Sequence, residues 1–70
     1  MSKYSFKKGY GQLQLKDVET ARDKIMKTLN ITTLQGFRYR LAGVYEPKVS
    51  EMESIEEIFH NYGITDIWGE

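Results

Sequence analysis

A chain of 70 residues with no cysteine has room for one small domain and a modest core, because short chains bury a limited fraction of their surface. Disulfide staples, thiolate metal ligands and thiol nucleophiles are excluded, which leaves helix packing or oligomerisation to stabilise the fold. Ten lysines and arginines balance ten acids, and a net charge of zero argues against indiscriminate binding to nucleic acid.

The balance is uneven along the chain. Residues 1 to 48 hold all ten cations against four acids, a net +6, while residues 49 to 70 hold six acids and no Lys or Arg, a net −6. One face can therefore be basic in a neutral molecule. No apolar run approaches the roughly 20 residues of a membrane helix, and MSKYSFKKGYGQ lacks the apolar stretch of a secretory signal. The expectation is a cytoplasmic protein that does not engage membranes.

Residues 1 to 16 are broken by glycines and a lysine pair, followed by the brief alternation Gln12-Leu13-Gln14-Leu15. They read as an irregular N-terminal arm with room for one short strand, its aromatics Tyr4, Phe6 and Tyr10 available to fold back on the rest. Residues 17 to 70 read as the domain proper.

A helix is signalled from Asp17, which can accept hydrogen bonds from free first-turn amides, with Glu19 at the positive dipole end. Val18, Ala21, Ile25 and Leu29 recur at helical spacing as one buried stripe with Met26 beside it, and Lys16, Arg22, Lys24 and Lys27 stay outside. Asn30, which tolerates the left-handed conformation, closes it. A second helix opens on Thr32-Thr33-Leu34-Gln35 as a capping box, with Thr32 the cap and Gln35 reaching back. Leu34, Phe37 and Leu41 form its buried stripe, and Gly43 stops it. At about 100° per residue, Gln35, Gly36 and Tyr39 point away from that stripe while Arg38 and Arg40 flank it.

Pro47 biases Glu46 towards an extended conformation in the loop that follows. Ser50-Glu51-Met52-Glu53 reads as the capping box of a third helix, with Met52, Ile55, Phe59 and Tyr62 buried and Ile58 alongside. Gly63 closes this helix, Ile64 reaches back as the apolar contact of the cap, and Thr65 can start one more turn before Ile67 and Trp68. The fold expected is all-α, a small domain of three to four helices with a helix-turn-helix.

The order helix ARDKIMKTL, turn NIT, helix TLQGFRYRLAG, loop, helix SEMESIEEIFHNY and closing GITDIWG resembles the helix-turn-helix of the lambda repressor and Cro class. The resemblance covers about residues 21 to 69. Asn30 stands where that class has its turn glycine, the spacing to Gly43 is one residue longer, Met26 replaces a small alanine, and the arm stands where the class has a full helix. The resemblance implies a sequence-specific, repressor-like DNA-binding regulator whose second motif helix enters the major groove of double-stranded DNA. The site residues it implies are Thr33, Gln35, Gly36 and Tyr39, flanked by Arg38 and Arg40, with Lys48 and the arm's Lys3, Lys7 and Lys8 on phosphates. Their chemistry fits, since Gln can bond adenine and Arg guanine in a bidentate way, and Thr can meet a thymine methyl or a phosphate.

Each site residue has a plainer reading. Arg38, Tyr39 and Arg40 read equally as a solvated helix face, and Gly36, costly within a helix, as a close approach of neighbouring structure. His60 reads as a helix-end residue, and the acids of the third helix as a solvated face, so neither enzyme activity, a metal nor a cofactor is expected. Ile64, Ile67 and Trp68 either finish the core or form a surface suited to a homodimer. Two alternatives stand beside DNA binding: a protein-interaction module using the acidic third helix or the Trp68 end, and a ligand-free protein of phage or mobile-element type.

Overall fold

The computed structural model describes residues 3 to 69 and contains four helices: α1 (Lys7–Tyr10), α2 (Leu15–Thr28), α3 (Leu34–Ala42) and α4 (Val49–His60). The domain is all-α, with no strand among the described residues. α2 packs on α4, and the core between them is Ala21 and Ile25 from α2, Leu29 at its C-cap, and Ile55, Ile58 and Phe59 from α4. The stripes that define these two helices in the sequence are thus the ones that meet.

The arm belongs to this core. Phe6 is 1% exposed and sits among Phe37, Phe59 and Trp68, with ring centroids 6.1, 6.2 and 6.1 Å away. Tyr10 adds a 5.4 Å contact to Phe37, so aromatic packing from the arm is what brings α3 onto the α2–α4 pair. Polar bonds fix the same junction. The Phe6 amide and the fully buried Ser5 hydroxyl both donate to Leu41 O, at 3.1 and 2.9 Å, which satisfies a carbonyl left without a partner in the last turn of α3. The C-terminal tail closes over the arm, with Gly9 N donating to Ile67 O at 3.2 Å and Gly69 N to Ser5 O at 2.9 Å.

Several helix starts differ from the sequence reading. Gln12–Leu15 forms no strand: a turn follows α1, and α2 begins at Leu15, placing Asp17 in its first turn instead of at its cap. α3 is capped by Thr33, whose Oγ1 accepts from Gly36 N at 3.1 Å, and Gln35 does not reach back to Thr32. α4 begins at Val49 with Lys48 as its cap, two residues ahead of the expected cap Ser50, and the Lys48 amide donates to Glu51 Oε1 at 2.9 Å. Leu34, expected in the core, is 51% exposed. Thr65 starts no helical turn.

The helix ends follow the sequence reading closely, and by one device. Asn30, Gly43 and Gly63 all take positive φ, at 58°, 77° and 76°. In each case the next amide reaches back across the last turn, Ile31 N to Met26 O, Val44 N to Tyr39 O and Ile64 N to Phe59 O, at 2.8, 3.1 and 3.0 Å. Ile64 is buried beneath its cap as expected. No helix among the described residues is long and apolar enough to cross a membrane.

Candidate nucleic-acid interface

α2 and α3 are separated by residues 29 to 33, and two of these residues set how closely they join. Asn30 in the left-handed conformation turns the chain, and Ile31 folds over the first turn of α3. A Cβ at Gly36 would lie 3.0 Å from Ile31 Cγ2 and 3.1 Å from Thr33 Oγ1. The glycine is therefore explained by the turn packing onto the helix, which is the structural reading of that position.

The outer face of α3 carries Thr33, Gln35, Arg38 and Tyr39, all exposed. No acid lies in the first turn of α3, so no side chain of that turn offsets the positive end of its dipole. Arg38 has no hydrogen-bond or ion-pair partner among the described residues. Gln35 Nε2 donates to the Tyr39 hydroxyl at 2.9 Å, one helical turn away, and the Tyr39 ring meets that of Tyr45 edge-on at 6.4 Å.

Arg40 faces elsewhere. Its Nη2 lies 2.8 Å from Glu51 Oε1 in an ion pair whose side chains retain only 20% and 26% exposure. The same carboxylate accepts the Lys48 amide, so Glu51 joins the end of α3 to the start of α4. The amide bond from Lys48, followed by the Arg40 guanidinium, holds the Glu51 carboxyl below the usual carboxylate range. Lys48 is exposed at the α4 N-terminus. Of the residues singled out in the sequence, Thr33, Gln35, Arg38 and Tyr39 thus share one open surface, Gly36 supports it from beneath, Arg40 braces it and Lys48 lies at the neighbouring helix start.

Two participants are absent from the sequence reading. The sequence reads Glu51 as part of a capping box and of a solvated acidic face, whereas it is paired with Arg40, and no spacing rule connects the two across the intervening loop. Tyr45 follows the helix stop and joins Tyr39 only because the glycine cap folds the chain back.

Of the two readings of the C-terminal apolar side chains, Ile64 and Ile67 follow the one that completes the core. Ile64 and Ile67 are 6% and 2% exposed, and Trp68 packs edge-on against Phe6 while its Nε1 donates to Glu56 Oε2 at 2.7 Å. Ile64 and Ile67 thus finish the core, and Trp68 stays half-buried beside them. Among the described residues no cluster of His, Asp and Glu could hold a metal ion. Comparison with family models, with curated proteins and with solved structures finds no match.

Proposed function

We propose that this chain is a sequence-specific DNA-binding protein, a transcriptional regulator of the repressor type, with α3 in the major groove of duplex DNA. The observation that carries the reading is the open face of α3, where Thr33, Gln35, Arg38 and Tyr39 offer hydrogen-bond donors and acceptors and a free guanidinium on a helix with no acid in its first turn. A helix is the element the major groove admits, and these side-chain types are the ones that distinguish base edges there. Gln35 and Arg38 read bases; Thr33 and Lys48 contact phosphates; Arg40 acts through Glu51 to hold the angle of α3 against α4.

That division of labour decides which variant is informative. Arg40→Ala would disturb the α3–α4 junction as well as remove a charge, so the clean test is Gln35→Ala combined with Arg38→Ala, both on exposed positions. Selection from a pool of random duplexes should enrich a defined motif with the native chain and none with the double variant, at unchanged helicity. A native chain that enriches nothing at about 50 mM salt, where phosphate contacts are strong, would overturn the reading.

A protein-interaction module on the same scaffold is the second reading. What favours it is the exposed apolar group Val44, Tyr45 and Val49 around the α3–α4 loop, at 64%, 54% and 72% exposure.

A further inference from the structure

Two exposed side chains on the outer face of α3 and one from the loop after it hold one another in place. Tyr45 packs edge-on against the Tyr39 ring, and the Tyr39 hydroxyl accepts a hydrogen from Gln35 Nε2. Ordering a glutamine side chain at the surface costs conformational entropy, and a solvent-exposed hydrogen bond returns little of it as stability. Preordering is useful where the same side chain must later present two polar groups in a fixed plane, since the cost is then met before the partner arrives.

We propose that Tyr39 is a positioning residue that orients the Gln35 amide to read an adenine in the major groove, with Tyr45 steadying the Tyr39 ring; this rests on the DNA-binding reading above. The bond to Tyr39 uses one of the two amide hydrogens. It leaves the other N–H and the lone pairs of Oε1, and this donor–acceptor pair matches the N7 acceptor and N6 donor of adenine. The Tyr39 hydroxyl, accepting from Gln35, keeps its own hydrogen to donate to a phosphate of the same strand. Recognition at one base pair therefore depends on a residue that need not touch that base.

The test compares base preference position by position for the full chain, Gln35→Ala, Tyr39→Phe and the double variant, using the duplex enriched by the native chain. Tyr39→Phe keeps the ring contact with Tyr45 and removes only the hydroxyl, so the fold is retained. The expected result is an adenine at one position, a loss of discrimination there of roughly fivefold or more in Gln35→Ala, and of about two- to tenfold in Tyr39→Phe. Preferences elsewhere should stay unchanged. In the Gln35→Ala background, Tyr39→Phe should have no further effect on that position, a coupling that a merely structural tyrosine would not produce. Replacing the adenine by 7-deazaadenine, which lacks N7, should weaken native binding more than it weakens Gln35→Ala. If the native chain enriches a motif but Tyr39→Phe keeps its full base preference, the positioning role is overturned while DNA binding stands. If the native chain binds no duplex, both fall together.

Discussion

Gly9 and Gly36 stand where an added Cβ would crowd a neighbouring part of the chain, and they show how differently two such positions read in a sequence. At Gly36 the helix context made a close approach expected, and Ile31 supplies it. Gly9 looks like a chain break, yet it lies in α1 against the C-terminal tail, where a Cβ would sit 3.1 Å from the Cα of Ile67. Backbone cannot move aside as a flexible side chain can. Gly9→Ala should therefore destabilise the domain by about 1–3 kcal/mol, the usual range for overpacking, measured as a lowered urea midpoint at unchanged slope. Nothing in residues 1 to 16 could reveal this contact, because its partner lies far along the chain.

At the scale of elements, helix ends were legible and helix starts less so, for a physical reason. An end needs a residue that tolerates positive φ, and Asn30, Gly43 and Gly63 are rare enough to mark their places. A start can be capped by any of several neighbouring polar groups. Thr33 therefore displaces Thr32, and the α4 start moves from Ser50 to Lys48, where the returning Glu51 carboxylate satisfies the cap amide. That carboxylate also holds Arg40, so it couples two helices. Its folded-state pKa is lowered, so its stabilising contribution is present above the ordinary carboxylate value and disappears as pH falls through the lowered one. Glu51→Gln should cost about 1 kcal/mol at pH 7, the usual worth of a helix cap. The gap between the native chain and this variant should close towards pH 3 in urea titrations, and a gap independent of pH would argue against the ion pair.

For the whole molecule, the stripes of α2 and α4 sufficed to foresee an all-α domain with Ile25, Ile55 and Phe59 inside. What the stripes could not supply is how α3 joins them. Its own stripe is thin, with Leu34 exposed and Phe37 its buried member, and the missing apolar surface comes from the arm through Phe6 and Tyr10. Arm and helices thus form one cooperative unit. A domain of this size has a total stability of roughly 4–10 kcal/mol, and Phe6→Ala should remove about 3–5 kcal/mol of it. Thermal unfolding by circular dichroism should show a single transition lowered by tens of degrees, or no folded baseline at 37 °C; an unshifted transition would return the arm to the status of a tail.

The candidate interface was legible as a helix face, through the periodicity that separates Gln35, Arg38 and Tyr39 from Phe37, but the bracing of that face by Glu51 and Tyr45 was not. The central claim is that this face binds duplex DNA, and salt dependence tests it most directly. The affinity of the full chain for its selected duplex, measured across about 50 to 200 mM salt, should fall linearly on a double-logarithmic plot. Arg38→Ala, which removes a base contact, should lower affinity at every salt concentration. An unaltered affinity in Arg38→Ala, or no duplex binding by a folded native chain at the lowest salt, would contradict the account.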